Sequence, residues 1–560
     1  MFLLAFKRLF KGKSLIVFSL CLGLAIPARA ELRLPRLFSD NMVLQQGIRA
    51  PVWGWADPGE LIVVDLEGQS AAATTGQDGR WSVRIGPLEA GGPFSLKISA
   101  SSDTIRISNV LVGEVWLCSG QSNMALTLGD IKAAQTIAEA AAYPMIRQFQ
   151  TKYATAAEPL EDVESSPQTA WLSTWEAGSS SSAQHFTAVG YYFALYLQQQ
   201  LGVPIGLINN SVGGTVAEAW SGSSVFEDIR LAPILTEWPL YTQEYDWIRD
   251  TYADHLKAVE QARQQGLPEP LYFCQPSVLY NAMTAPLMPY GIRGATWYQG
   301  EGNIYRAEQY RILFPALIRN WREGWSQGDF PFLFVQLTSY ESGTGKWPEL
   351  REAQKQGLAL PNTGMAVTID VGEADNIHPR NKKEVGRRLS LIARALVYGD
   401  SLLYSGPVCS SAVVQGNRCY LSFTQVGNGL VSRDSGPLAG FTAAGSDSLF
   451  YPASAVIEGD RVVVWSDEVT EPVSVRYAWA DNPVGANLFN MDGDSLGLPA
   501  LPFEWWREKG DLDGDGKVGI FDLLNLLKVL GGAAARTALA DLDANGKVDI
   551  FDLLAMLESL

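Results

Sequence analysis

Residues 118–124 read Cys-Ser-Gly-Gln-Ser-Asn-Met and place Ser122 just after a short apolar stretch, Val112–Leu117. A serine hydroxyl is a poor nucleophile until a histidine takes its proton, and that histidine needs a carboxylate to hold its tautomer. The chain has three histidines, His185, His255 and His378. Only His378 sits in a turn-like stretch with an acid three residues ahead, as Asp375-x-x-His378. These residue types predict acyl transfer with Ser122 as nucleophile, His378 as base and Asp375 as the group that orients it. Asp370 is the rival acid. The oxyanion that develops needs preorganised donors. The backbone N–H groups of Ser122 and Gly214 suit that task, since glycine lets the backbone approach closely. The Gln299 amide is a third expected donor, and Gly213, Gln121 and Glu301 complete the substrate-facing set.

The elements that must position these groups follow from pattern. Ser122 follows the strand-like Val112–Leu117, and Asn209, Gly213 and Gly214 follow Ile205–Ile208. Gln299 and Glu301 follow Ala295–Tyr298, while Asp370, Asp375 and His378 follow Met365–Ile369. All four groups lie beyond strand carboxyl ends, which is where ligands bind in an open parallel sheet. Helical stretches at Tyr191–Leu201, Ala307–Trp325 and Pro379–Tyr398 alternate with these strands, predicting a parallel sheet covered on both faces. Residues 216–285 read as a lid-like, partly helical insertion. Residues 31–108 carry strands and turns at the spacing of a small β-sandwich, as in Val52-Trp53-Gly54-Trp55 followed by Asp57-Pro58-Gly59. Residues 401–506 are β-patterned again, and Pro499–Pro502 reads as a linker.

Longer runs around these residues resemble a known family. They are Gly113–Met124, Asn210-Ser211-Val212-Gly213-Gly214-Thr215, Trp297-Tyr298-Gln299-Gly300-Glu301-Gly302-Asn303 and Ile377-His378-Pro379. Residues 109–400 resemble the sialate O-acetylesterase family within the SGNH-hydrolase superfamily. Flanking matches at Leu34-Pro35 through Gln45-Gln46 and at Arg476-Tyr477-Ala478-Trp479 extend the likeness over nearly all of residues 31–506. The resemblance implies an SGNH-like three-layer α/β fold, Ser122 as nucleophile, His378 as base and Asp375 as the acid. Gln299 stands near the place of the superfamily's block asparagine, and Gly302 replaces a serine common in the family's Gly-Glu-Ser-Asn run. The expected substrate is an O-acetylated carbohydrate: a sialate by the family's name, or acetylated xylan or pectin of plant cell walls. No metal or cofactor is expected in catalysis. A non-catalytic carbohydrate-binding protein on the same fold is the rival from another class, and a metal-dependent deacetylase is disfavoured by the lack of a histidine-rich cluster.

Two segments near the end repeat one another. Residues 511–522 read Asp-Leu-Asp-Gly-Asp-Gly-Lys-Val-Gly-Ile-Phe-Asp, and residues 541–552 read Asp-Leu-Asp-Ala-Asn-Gly-Lys-Val-Asp-Ile-Phe-Asp. Oxygen ligands recur at positions 1, 3, 5 and 12 of an EF-hand-like loop, with glycine at 6 and a backbone carbonyl at 7. The expected calcium ligands are Asp511, Asp513, Asp515, Lys517 (carbonyl) and Asp522, then Asp541, Asp543, Asn545, Lys547 (carbonyl), Asp549 and Asp552. The pair resembles a type I dockerin over residues 508–560. That likeness implies two structural calcium ions and a cohesin-type scaffold partner, with Ile520-Phe521 and Ile550-Phe551 at the recognition positions.

The chain's 560 residues allow several folding units. Residues 1–30 read as a signal peptide, with Lys7, Arg8, Lys11 and Lys13 before an apolar run and Ala28-Arg29-Ala30 as the cleavage site. Its removal would take the formal charge from -17 to about -22. Such acidity excludes bulk attraction to nucleic acid, and no later stretch reads as a membrane span. The expectation is therefore a secreted, multidomain protein. Cys409 and Cys419 flank a short loop that a disulfide could close, whereas Cys118 and Cys274 read as buried thiols.

Overall fold

The structure is a computed structural model, and it describes residues 31–101, 103–163, 173–534, 537–543 and 545–559. The expected signal peptide lies outside the described residues. The centre is a sheet ordered Thr363–Ala366, Phe332–Val335, Gly294–Tyr298, Thr104–Gly120, Ile205–Ser211, Ile146–Gln150 and Trp175–Ala177. Neighbours pair in parallel except the last, which is antiparallel.

These strands are apolar on both faces, so successive residues feed two different cores. Val115 and Leu117 enter one core while Trp116 and Cys118 enter the other. Phe332 and Phe334 likewise face away from Leu333 and Val335. The helix Ala307–Trp325 covers the first face with Leu313, Phe314, Leu317 and Trp321. The helices Ala188–Leu201 and Lys382–Leu396 cover the second with Phe193, Leu197, Leu389 and Ile392. The last of these begins three residues later than the sequence predicts, because Asn381 caps it by accepting from the Glu384 N–H.

The expected boundary at residue 109 falls inside one strand. Thr104–Gly120 pairs antiparallel with Gly91–Ser99 through its first half and enters the parallel sheet with its second. The amino-terminal strands are thus hydrogen-bonded continuously with the central sheet. Val43–Gln45 also pairs in parallel with Leu111–Gly113. From Val408 onward there are further antiparallel sheets of four, three and four strands. Pro499–Pro502 is not a linker. Pro499 ends the strand Ser495–Pro499, Ala500 and Leu501 are buried, and their N–H groups donate to Leu488 and Pro407. All four cysteines of the described residues are free thiols. Cys409 and Cys419 do not close the hairpin, since its register pairs Cys419 with Val414 and Cys409 with Phe423. No helix among the described residues is long and apolar enough to cross a membrane.

The tail carries two helices, Ile520–Leu530 and Ile550–Ser559, whose Leu526, Val529 and Met556 share a small core. Its first loop lies on the edge of Val408–Gln415, where the Val414 N–H donates to Gly514 O at 2.9 Å.

Candidate active site

The strand Thr104–Gly120 delivers Ser122 to the carboxyl edge of the sheet. Gly120 makes the exit possible: its φ is +133°, and a Cβ there would lie 2.2 Å from Tyr298 O. Ser122 opens a single helical turn, Ser122–Ala125. His378 arrives from the loop before Lys382–Leu396, and its Nε2 lies 2.8 Å from Ser122 Oγ. Residues 256 positions apart in sequence thus meet at hydrogen-bond distance, as a nucleophile and its base must.

Asp375 is not part of that contact. It is exposed, and no hydrogen bond joins it to His378 among the described residues. The segment is a tight turn, as expected, closed between Glu373 and Asn376. Asn376 braces the backbone of His378. Its Oδ1 accepts from the His378 N–H at 3.0 Å and its Nδ2 donates to His378 O at 2.9 Å. The rival acid Asp370 is engaged by the Arg388 guanidinium through two bonds of 2.6 and 2.7 Å.

Gly213, Gly214, Gln121 and Glu301 line the same cleft as Ser122 and His378, a space of about 750 Å³. Among the described residues, the N–H groups of Ser122 and Gly214 donate to no protein acceptor, so both remain for an oxyanion. Gly214 has φ +73°, and a Cβ there would strike the Trp247 ring at 2.5 Å. Gln299 does not join them. Its Nε2 donates to Thr215 O and Asn303 Oδ1, its Oε1 accepts from Tyr310, and it is fully buried behind the loop. Gln121 ties that loop to the nucleophile, its Oε1 accepting from the N–H groups of Gly300 and Gly302. Gly302 is required by packing, because a Cβ there would lie 2.7 Å from Thr215 O.

Beneath Ser122 runs a buried polar chain that the sequence did not signal. Asn123 Nδ2 donates to Glu301 Oε1 at 2.6 Å and to Ile377 O at 3.0 Å, and its Oδ1 accepts from Lys382 Nζ. Burial lowers the Lys382 ammonium to about 7, against the pull of Glu301 and Glu373. Burial raises the Glu301 carboxyl, although Asn123 and Lys382 oppose the rise. His378 is held below the usual histidine range, by burial first and by the Lys382 charge second.

The profile of the family described as "Carbohydrate esterase, sialic acid-specific acetylesterase" matches residues 112–259 and 272–393. The human sialate O-acetylesterase is 30% identical over 536 residues, covering 86% of this chain and 96% of that protein. The mouse protein is 31% identical, covering 83% and 93%. This chain belongs to the sialate O-acetylesterase family. It is a carboxylic ester hydrolase. A carbohydrate acetylesterase from Xanthomonas citri shares the fold with TM-score 0.73 and 37% identity, over 85% of this chain and 99% of that one. Residues 509–560 match the type I dockerin domain.

Within this family fold the cleft walls come from places the sequence left unread. Trp220, Trp297 and Tyr298 are fully buried, and Trp297 packs edge-on against Trp220 and Trp321. The aromatic rings that do line the cleft are Tyr245, Trp247, Tyr305, Tyr340 and Trp347. Tyr245 and Trp247 belong to the insertion, which includes the helix Asp246–Gln265. Tyr245 Oη anchors it by donating to Glu301 O at 2.6 Å. A cluster of aromatics before a helix, Tyr241-x-x-x-Tyr245-Asp246-Trp247, was the available signal.

In the tail, carboxylate oxygens of Asp511, Asp513, Asp515 and Asp522 converge within 4.8 Å of one another, and so do those of Asp541, Asp543 and Asp552. Asp522 and Asp552 are buried. Asp549 is outside the second cluster; its Oδ1 accepts from the Phe551 N–H at the helix start. Asn545 Oδ1 accepts from the Lys547 N–H, as Asp515 does from Lys517. All-oxygen donors of this kind suit a hard cation such as calcium.

Proposed function

We propose that this protein removes O-acetyl groups from carbohydrate by a serine mechanism. The observation that carries this reading is the 2.8 Å contact between Ser122 Oγ and His378 Nε2 at the floor of an aromatic-walled cleft. Ser122 attacks the acetyl carbonyl as its proton passes to His378 Nε2. The N–H groups of Ser122 and Gly214 receive the oxyanion; losing one such donor costs about 3–4 kcal/mol. The tetrahedral intermediate collapses, and His378 protonates the departing sugar alkoxide. Water, deprotonated by His378, then attacks the acetyl-serine and releases acetate. The Asn376 clamp fixes the His378 backbone during these transfers, and Asp375 stands outside that hydrogen-bond set.

Ser122→Ala and His378→Ala should each lower kcat on an activated acetyl ester by about 10³-fold or more, since the pair acts as a unit. Circular dichroism and Tm should stay as in the parent. Turnover near the parent's in a folded Ser122→Ala protein would overturn the serine mechanism.

The relatives' names point to sialate, while the dockerin module favours a second reading in which acetylated xylan or pectin is the substrate. The tail holds calcium through its two carboxylate clusters and engages a cohesin-type scaffold. Its exposed Ile520, Phe521, Leu524 and Leu527, repeated at Ile550, Phe551, Leu554 and Leu557, supply the apolar contact. This assembly is extracellular, in keeping with the expected signal peptide.

A further inference from the structure

The first acidic loop of the tail makes contacts that its repeat does not. The strand Phe503–Trp506 lies at the edge of its antiparallel sheet, and only Glu508, Lys509 and Gly510 separate Arg507 from Asp511. Past this short join the loop meets the edge strand Val408–Gln415, where Gly514 O accepts from the Val414 N–H at 2.9 Å. Gly514 is buried there, and a Cβ on it would lie 3.0 Å from Val414 O and 3.1 Å from Arg507 Nη2. A Cβ on Gly516 would lie 2.9 Å from Ala412 O. Gly546, at the same place in the second loop, would meet nothing within 4 Å. Arg507 is buried in the join. Its N–H donates to Val473 O, its Nη1 lies 3.2 Å from Glu471, and its Nε lies 3.6 Å from Asp511 Oδ2. Asp511 is 1% exposed, whereas its counterpart Asp541 is only half-buried.

An edge strand presents unpaired backbone groups, and a segment held against it gains hydrogen bonds. Here the acceptor is a loop carbonyl whose direction depends on how the loop closes. Asp511 closes it, its Oδ1 and Oδ2 accepting from the Gly514 and Gly516 N–H groups at 2.7 and 3.2 Å. One expected calcium ligand thus fixes the same two glycines that seat on the strand. Without a cation, the converging carboxylates of Asp511, Asp513, Asp515 and Asp522 repel one another and work against that closure. We propose, resting on the calcium reading of the tail, that the first loop is an intramolecular docking element. Filled with calcium, it seats on the edge of Val408–Gln415 and fixes the orientation of the tail on the esterase body. The second loop serves the tail alone. By linkage, the seat on the strand favours calcium at the first loop. Ile520, Phe521, Ile550 and Phe551 stay exposed beside the seat, so docking leaves them free.

The test uses the full-length protein. Hydrogen exchange at the Val414 amide should be slower in calcium than in chelator by about tenfold or more. Val414→Pro removes the donor from an edge strand, where proline is tolerated, and alters no atom of the tail. In calorimetric titration with calcium, this variant should weaken one of the two sites by about threefold or more and leave the other as in the parent. Trypsin in calcium buffer should cut it after Arg507 about tenfold or more faster than the parent, with p-nitrophenyl acetate turnover unchanged. A Val414 amide that exchanges equally fast with and without calcium would overturn the docking. So would a Val414→Pro protein whose calcium titration and cleavage rate match the parent's. Should the variant fail to fold, the exchange measurement on the parent decides the matter. A parent that binds no calcium would overturn the calcium reading itself and this inference with it.

Discussion

At His378 two effects act in the same direction. Burial and the nearby Lys382 charge both hold the imidazole below its ordinary range, so it is neutral and able to accept the Ser122 proton near pH 7. The two titrations are ordered usefully: Lys382 is held near about 7 and is therefore charged where His378 titrates, below 6.5. Activity rises with pH as His378 loses its proton. Removing the cation in Lys382→Met lets the histidine pKa rise, so the acid limb of kcat/KM should move to higher pH. A pH–rate profile from pH 4.5 to 8 reads this shift; an unmoved or acid-shifted limb would count against it. At the same scale, Asn376→Ala should lower kcat by about tenfold or more, because it frees the His378 backbone. Asp375→Asn should cost less than Asn376→Ala, since Asp375 is exposed and not bonded to the imidazole. The reverse order in side-by-side kinetics would return the orienting role to Asp375.

Among the elements, the insertion has the clearest consequence. The helix Asp246–Gln265 carries Trp247 in its first turn, and a Cβ on Gly214 would lie 2.5 Å from that ring. The Gly214 loop and the aromatic wall of the cleft are therefore in contact. Gly214→Ala meets both the positive φ and the ring, so kcat should fall by about 10²-fold as the donor is displaced. Trp247→Ala removes only the wall. It should raise KM for an acetylated oligosaccharide by about tenfold while changing p-nitrophenyl acetate turnover much less, because the small ester does not need the ring. Comparing KM and kcat on the two substrates separates these effects.

For the molecule as a whole, distant segments reach the cleft by hydrogen bonds. Asp481, beyond the first of the carboxyl-terminal β strands, accepts from the N–H groups of Thr344, Gly345 and Trp347 and so fixes one cleft wall. Burial works against its ionised form, yet these bonds hold the carboxyl below its usual range. The tail is tied on differently. Residues 508–560 carry ten acids and five bases, and their carboxylates converge in two clusters. On the proposed reading, the free energy of calcium binding there becomes folding free energy. A chelator should therefore unfold the tail, as a fall in helical circular dichroism and rapid proteolysis after residue 507, and abolish cohesin capture. Acetate release should persist, since the catalytic groups have their own large core. A helical signal that ignores chelation would remove the calcium reading.

The sequence by itself singled out the pair that the fold brings into contact. Ser122 and His378, both after apolar strands, were legible because a parallel sheet gathers strand ends on one edge. The two tail loops were legible because ligand spacing is local along the chain. What escaped depended on long-range packing. The bracing of the His378 backbone by Asn376 was not legible, because it depends on how the turn between Glu373 and Asn376 closes. Gln299 has the chemistry of a donor, but Thr215 and Asn303 occupy its amide first. The aromatic wall of the cleft was not legible either, since Trp247 reaches it from the insertion. The boundary near residue 109 vanished because one strand serves two sheets. A residue's type sets what it can do, whereas the neighbours that tertiary structure brings decide whether its hydrogen bonds and faces remain free to do it.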